Sequence, residues 1–425
     1  MNKLILQSRL TAMNFLEFAV WGAYLTSMGS YLGRVGLGEH IGSFYAIQGG
    51  VSLFMPALMG IVADRWIPAQ KLLGLCHLLA GLFMGAAAFY AHAAGDSVAL
   101  GTLFPLYTLS VAFFMPTIAL SNSVAFNGLV RFGLDTVKDF PPIRVFGTIG
   151  FICTMLAVDF LGFQNNPNQF YVSAALSLAL AIYACTLPDC PVSHTADGER
   201  KTWAQALGLD AFRLFADRRM AIFFIFSMLL GVSLQITNGY ANPFISCFKE
   251  IGAYADTFGA NHANALISLS QISETCCILL IPFFLKRFGI KRVMMIAMFA
   301  WVLRFGLFAF GDPGAGVWMF VLSMIVYGVA FDFFNISGAL FVDQNTKPEI
   351  RSSAQGLFMI MTNGLGATIG TLSAQLVVNH YVYSAPVTAQ LEGWRTSWLI
   401  FATYSLVVLV LFTIVFREKK RQAAA

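Results

Sequence analysis

The chain has 425 residues, of which 58% are hydrophobic and 11% charged, with a mean hydropathy of +0.71. A soluble domain carries roughly 25% charged and 45–50% apolar residues, so this composition cannot cover a water-facing surface and excludes a soluble enzyme. The net charge of +5, from 26 basic and 21 acidic residues, gives no support to nucleic-acid binding; the placement of the charges carries more information than their sum.

Apolar runs bounded by charge, Gly or Pro predict twelve spans, over about 10–32, 43–63, 71–92, 98–120, 143–163, 169–187, 220–242, 262–285, 291–310, 316–341, 352–378 and 396–416. Twelve spans of about 20 residues leave roughly 14 for each connection and tail. The first run is too long for a signal-peptide core and lacks an A-x-A cleavage site, so it reads as an uncleaved span. All are helical, because a lone strand cannot satisfy its backbone in lipid and no segment alternates as a barrel strand does. The seven cysteines lie mostly within these runs, without CxxC spacing or a secreted disulfide framework, and read as small buried hydrophobes.

An even number of spans puts both termini on one side. Arg34, Lys249 and Arg395 are the basic residues of the odd-to-even connections, whereas the termini and the even-to-odd connections hold 21. The positive-inside rule makes that richer side cytoplasmic. The longest polar stretch, Asp189 to Arg219, holds the run Asp197, Gly198, Glu199, Arg200, Lys201 and an amphipathic piece from Trp203 to Phe215 suited to the membrane interface. It divides the chain into a six-helix bundle over 1–187, a linker over 188–219, a second six-helix bundle over 220–416 and a basic tail over 417–425.

The connections after the second and eighth spans form a weak repeat, Gly60-Ile-Val-Ala-Asp-Arg-Trp-Ile-Pro-Ala-Gln-Lys71 and Pro282-Phe-Phe-Leu-Lys-Arg-Phe-Gly-Ile-Lys-Arg292. Both resemble the signature loop of the major facilitator superfamily, roughly G-x-L-A-D-R-x-G-R-K. The first keeps Gly60, Ala63, Asp64 and Arg65 but has two extra residues before Lys71, and the second has Lys286 where the acid should stand. Together with the two halves, this resemblance implies an all-α integral membrane protein of the major facilitator fold, twelve transmembrane helices in two six-helix bundles.

A charge at the centre of a membrane helix costs about 2.5–3.5 kcal/mol or more, so ionisable residues inside spans are functional candidates. They are Glu17, Asp159, Glu274, Arg304 and Asp332, with Arg144 at a span margin behind Pro141 and Pro142, free to snorkel. Asp159 and Arg304 read as structural, by snorkelling or ion pairing. His77 reads as a hydrogen-bonded interior residue, since no second ligand stands at helical spacing from it and a metal site therefore lacks ligands.

The remaining polar residues fall on shared helix faces: Arg144, Thr148 and Phe151 in the fifth span, Gln235 and Asn238 in the seventh, Gln271 and Glu274 in the eighth, and Tyr327, Phe331 and Asp332 in the tenth. At 1.5 Å per residue, Gln235, Glu274 and Asp332 lie about 22, 18 and 24 Å from the starts of their spans, inside the bilayer. Amides match the edges of a nucleobase, aromatic rings its face, and a carboxylate or Arg144 the hydroxyls of a ribose. A sugar would fit much of the same set. The shortage of cavity cations argues against a phosphorylated ligand. Glu274 or Asp332 can load and release a proton as the cavity changes its exposure, whereas nothing announces the oxygen cage that sodium needs.

The strings Phe140-Pro-Pro-Ile-Arg-Val-Phe-Gly-Thr-Ile-Gly-Phe151, Met220 to Gly231, Leu234-Gln-Ile-Thr-Asn238, Ser270-Gln-Ile-Ser-Glu274 and Tyr327-Gly-Val-Ala-Phe-Asp-Phe-Phe-Asn-Ile-Ser-Gly338 closely resemble the bacterial nucleoside:proton symporters of the NupG type, almost end to end. The resemblance implies import of purine and pyrimidine nucleosides, such as uridine and adenosine, with protons across the inner membrane by alternating access. It implies a substrate cavity formed by Arg144, Thr148, Phe151, Gln235, Asn238, Gln271, Glu274, Tyr327, Phe331 and Asp332. The expected carrier is no enzyme, works as a monomer in the lipid bilayer, needs no cofactor beyond the proton gradient, and has Asp332, Glu274 and Glu17 as proton-coupling candidates. Glu17, on a face with Trp21 and Tyr24, departs from the amide that the family tends to have there. The alternatives are a proton-linked sugar or nucleobase carrier, and, from other classes, a membrane enzyme, a receptor or a channel. The enzyme would need a nucleophile with a His base, or a metal set, in one cavity.

Overall fold

The computed structural model describes residues 3–190, 209–346 and 351–416. The charged run 197–201, the first part of the amphipathic piece, 203–208, and the basic tail lie outside the described residues, as do the side chains of Asp64 and Arg65 in the signature-like loop.

Among the described residues the chain is helical throughout, and the helices group into twelve crossings. The first is Lys3–Gly22 continued by Met28–Arg34, and the hydroxyl of Tyr45 donates to the Leu25 carbonyl oxygen freed at the break between them. The second is Ile41–Ser52 and Met55–Arg65, interrupted just before Pro56. The third is Ala69–Ala94, entered from Pro68, and the fourth is Leu100–Phe114 and Thr117–Arg131, broken at Pro116 because proline has no N–H to continue the ladder. The fifth is Thr136–Phe160 and the sixth is the shorter Asn168–Ala184.

The seventh crossing, Arg218–Leu234 and Ile236–Cys247, starts at Asp217, whose carboxylate accepts from the backbone N–H groups of Arg219 and Met220 at 2.8 and 2.9 Å. The eighth and ninth share the run Ala263–Phe310, 48 residues with a turn at Gly289, whose φ of 75° suits glycine. The tenth is Val317–Asn345. The eleventh joins Arg351–Met359 and Ala367–Val378 through the π-helical turns of Ile360–Gly366 and ends in a second π segment, Asn379–Tyr383. The twelfth is Gln390–Val415. Before the seventh crossing, the 3-10 helix Leu209–Ala216 lays Phe215 on Phe224, with ring centroids 5.5 Å apart.

Packing repeats between the halves. The first crossing packs on the fifth and the third on the sixth; in the other half the seventh packs on the eleventh and the ninth on the twelfth. Leucines, phenylalanines and valines remain exposed along the outside, among them Leu279, Phe283, Leu376 and Ile414, as a lipid-facing surface requires. The reading of the cysteines as buried holds for Cys76, Cys190 and Cys277 and is corrected for Cys153, Cys185 and Cys276, which are exposed on helix faces turned away from the bundle.

Both described chain ends lie on one face, called here the terminal face. The halves meet at the opposite, far face, where Met28–Arg34 packs on Ile236–Cys247 and Ile41–Ser52 on Ala367–Val378. On the terminal face, Met55–Arg65 packs within its own half, against the third and fourth crossings.

Candidate functional site

The eighth and tenth crossings approach at Gly328, where a Cβ would meet the Ser273 carbonyl oxygen at 2.6 Å. Only a glycine allows the backbones so close. The contact sets Glu274, the neighbour of Ser273, against Tyr327 and Asp332: the two carboxyl groups interact electrostatically with each other and with the tyrosine hydroxyl. Asp332 is 5% exposed, and its Oδ2 has no hydrogen-bond partner among the described residues. Tyr327 and Phe331, one turn apart, stack with centroids 5.6 Å apart and planes inclined by 16°.

Trp301 meets Tyr327 edge-on at 6.0 Å, and the Arg304 guanidinium carbon lies 4.5 Å from the centre of the tyrosine ring. The expectation that Arg304 snorkels or forms an ion pair is corrected here. It is 2% exposed and, among the described residues, forms no ion pair; it donates to the Ser323 carbonyl oxygen at 2.8 Å and lies over the rings of Tyr327 and Phe308. Its span faces it into the bundle, so aromatic faces and a carbonyl take the place of water.

From the other half, Arg144 interacts electrostatically with Glu274 and, within its own half, with Glu17. Its guanidinium carbon lies 3.9 Å above the Phe18 ring. Pro141 and Pro142 do not start the fifth helix, which begins at Thr136, so Arg144 is half-buried over that ring instead of snorkelling. Thr148, one turn on, is half-buried, and Phe151 is buried edge-on against Trp21 at 6.4 Å.

In the seventh crossing the helix breaks at Gln235, and Asn238 Nδ2 donates to Gln235 Oε1 at 2.7 Å. That bond does not use the Asn238 oxygen or the Gln235 amino group, an acceptor and a donor on the same pair. Gln271 is half-buried, one turn before Glu274. The structure thus gathers Arg144, Glu274, Tyr327, Phe331 and Asp332 into one interacting group and pairs Gln235 with Asn238, while Thr148, Phe151 and Gln271 stand one or two turns from members of the first group on their own helices.

A family model described as nucleoside H+ symporter matches residues 4–421. The chain belongs to the nucleoside H+ symporter family. It is 46% identical over 420 residues to the nucleoside permease NupG of Escherichia coli strain K12, covering 97% of this chain and 96% of that protein. It is 46% identical over 408 residues to the xanthosine permease of the same organism, covering 95% and 94%. A crystal structure of a mutant of the nucleoside transporter NupG matches with a TM-score of 0.91 at 45% identity, over 97% of this chain and 100% of that one. A D-xylose-proton symporter, 13% identical with a TM-score of 0.67 over 98% of this chain and 99% of that one, shares the fold alone. This nucleoside H+ symporter is therefore a multi-pass membrane transporter of the twelve-helix major facilitator fold, and not an enzyme.

Two polar clusters of the symporter were invisible as clusters in its sequence. Glu17, fully buried in the first half, accepts from Thr117 Oγ1 at 2.5 Å and meets His77 Nε2 at 2.8 Å, so His77 is hydrogen-bonded in the interior. At the far face Asp159 accepts from the Ala265 backbone N–H at 2.8 Å, from His262 Nδ1 at 3.1 Å and from Gln164. Gln164 accepts from Asn242 Nδ2 at 2.8 Å, and Ser30 donates to Asn242 Oδ1 at 2.5 Å. Asp159 is therefore structural in a particular sense: it caps the eighth crossing and ties the halves together. The sequence signal was the polar residues Gln164 and Asn242 near span ends, which carry no shared spacing with Asp159.

A mostly apolar cavity of about 620 Å³ opens beside the first and fifth crossings, lined by Gln7, Ser8, Thr11, Ala12, Phe15 and Phe146. It is lined by none of the ten residues gathered by the sequence argument and lies nearer the terminal face. Its size suits a small organic molecule, but its lining offers few polar groups to orient one, so the chemistry resides with the Glu274–Asp332 group.

Proposed function

We propose that the chain imports purine and pyrimidine nucleosides, uridine and adenosine among them, together with protons across the inner membrane of a bacterium. The 21 basic residues of the termini and even-to-odd connections support a cytoplasmic terminal face, and the described arrangement is then the one closed toward the outside. The carrier works as a monomer, with the proton gradient as its energy source and no cofactor. Membership of a family of nucleoside H+ symporters, and the names of its permease relatives, support the substrate class.

The observation that carries the reading is the joining of a carboxyl pair, Asp332 buried and Glu274 half-buried, to an aromatic stack. Glu274 and Asp332 interact with each other beside Tyr327 and Phe331, so a proton on either carboxyl removes the repulsion between them. In this assignment a nucleobase lies against Tyr327, Phe331 or Phe151, and its edge meets Gln235, Asn238 and Gln271. The ribose hydroxyls meet Asp332 or Arg144, with Thr148 beside them. The unpartnered Oδ2 of Asp332 is an acceptor open to a hydroxyl or to a proton. Proton release toward the cytoplasm and nucleoside release then follow the same opening, while the Asp159 network keeps the far face shut. Glu17 lies in the first half and is hydrogen-bonded to His77 instead of joining the carboxyl pair.

The test is uptake of labelled uridine and adenosine into proteoliposomes, competed by free bases and by hexoses. Saturable uptake competed by nucleosides supports the assignment; hexose or free-base competition without nucleoside uptake replaces it with a sugar or nucleobase carrier.

A further inference from the structure

The first half buries a second titratable cluster with its own hydrogen count. Glu17 and His77 are both 0% exposed, with Glu17 Oε2 2.8 Å from His77 Nε2. On the other side of the ring, His77 Nδ1 lies 3.0 Å from Ser177 Oγ, and that hydroxyl donates its hydrogen to the His77 carbonyl oxygen at 2.9 Å. A serine hydroxyl has one hydrogen, so the hydrogen between Nδ1 and Ser177 must sit on Nδ1. An imidazole protonated on Nδ1 leaves Nε2 an acceptor unless it gains a second proton. The contact from Nε2 to Glu17 Oε2 therefore contains one proton, beyond those of a carboxylate and a neutral imidazole. Complete burial favours the uncharged arrangement, the carboxylic acid donating to Nε2 while its other oxygen shares the single Thr117 hydroxyl hydrogen with the Phe114 carbonyl oxygen, each 2.5 Å from Oγ1.

The groups that face this pair come from its own third crossing and from three others. Cys76 belongs to the third, Thr117 to the fourth, Arg144 to the fifth and Ser177 to the sixth. Arg144 is the cation among them, and it interacts with two carboxyl groups, Glu274 in the other half and Glu17 in its own. While the shared proton is present the Glu17–His77 pair is neutral, and Glu274 is the stronger attraction on the guanidinium. When the proton leaves, the pair has a charge of minus one and competes with Glu274 for Arg144.

We propose that Glu17 and His77 form a second proton-binding site, distinct from the Glu274–Asp332 pair, whose occupancy sets the charge that Arg144, stacked on the neighbouring Phe18, meets within its own half. The consequence for transport rests on the assignment of Arg144 and Glu274 to the substrate site; the proton site itself does not.

Infrared titration of the full-length protein in lipid nanodiscs, without nucleoside, tests the site. The expected result is a protonated-carboxyl band that Glu17→Gln removes and that Asp332→Asn and Glu274→Gln each retain. His77→Gln should shift the frequency of that band, because the carboxylic acid loses its imidazole acceptor. Glutamine keeps an acceptor for Thr117 and a donor for Nε2, so the packing survives the exchange. Identical carboxyl bands in the wild type and Glu17→Gln overturn the proposal, as does a Glu17 band indifferent to His77→Gln. For the coupling, uridine affinity measured from acid to alkaline pH should lose one of its pH-dependent limbs in Glu17→Gln; a folded Glu17→Gln with the wild-type profile overturns it. Absence of uridine binding by the wild type at every pH would strike the nucleoside assignment, while the infrared bands would still decide the proton site.

Discussion

Replacing Asp159 by alanine should unlatch the far face. Asp159 accepts two hydrogen bonds from the other half, from the Ala265 N–H at 2.8 Å and from His262 Nδ1 at 3.1 Å, and a third from Gln164 within its own. A hydrogen bond to a charged group contributes about 1.5–3 kcal/mol, and His262 is exposed enough for water to replace part of its share. Losing the two bonds between the halves should therefore weaken the closed far face by about 2–4 kcal/mol. Such a difference shifts the equilibrium between far-closed and far-open states by roughly 30- to 700-fold. Spin labels at Glu39 and His380 report it, because both are exposed, belong to opposite halves and flank the contact in which Asn379 Nδ2 donates to the Glu39 carbonyl oxygen at 2.9 Å. The wild type should give one short distance and Asp159→Ala a second, longer population. A folded Asp159→Ala with the wild-type distribution would refute the latch.

Other substitutions separate recognition from coupling and packing. Gln271→Ala and Asn238→Ala should each raise the KM for uridine by about 10- to 100-fold, the worth of one or two lost hydrogen bonds, while accumulation remains driven by the pH gradient. Concentration-dependent uptake measures this, and loss of gradient coupling with unchanged KM would contradict it. Arg304→Met keeps an apolar stem but removes the charged side-chain donor from the Ser323 carbonyl oxygen, which should cost about 1.5–3 kcal/mol of stability. A thermal unfolding midpoint equal to that of the wild type would count against the packing role. Gly328→Val places atoms on the Ser273 carbonyl oxygen, separates the eighth and tenth crossings and should lower uridine uptake at least about tenfold at equal expression.

The spans were legible because lipid imposes one strong rule, an apolar helix long enough to cross, and the exceptions to that rule pointed to Glu274 and Asp332. Helical spacing placed Tyr327, Phe331 and Asp332 on one face, and the fold adds what spacing cannot: the glycine contact that brings Glu274 from another helix to meet them. Partners distant in the chain were not legible. Glu17 and His77 are 60 residues apart and Asp159 and His262 are 103 apart, so no local pattern joins either pair. Arg304 misled for a different reason. A cation near the middle of an apolar helix suggests an ion pair, yet the tenth crossing offers an aromatic face and a carbonyl instead. The start of the fifth helix was misplaced because two adjacent prolines usually mark a first turn, whereas here a further turn precedes them.

Uridine uptake by proteoliposomes under an imposed pH gradient, comparing the wild type with Asp332→Ala and Glu274→Gln, tests the central claim most directly. The wild type should concentrate uridine inside only while the gradient lasts, and Asp332→Ala should not concentrate it. Accumulation that ignores the pH gradient, or full gradient-driven accumulation by both variants, would contradict it.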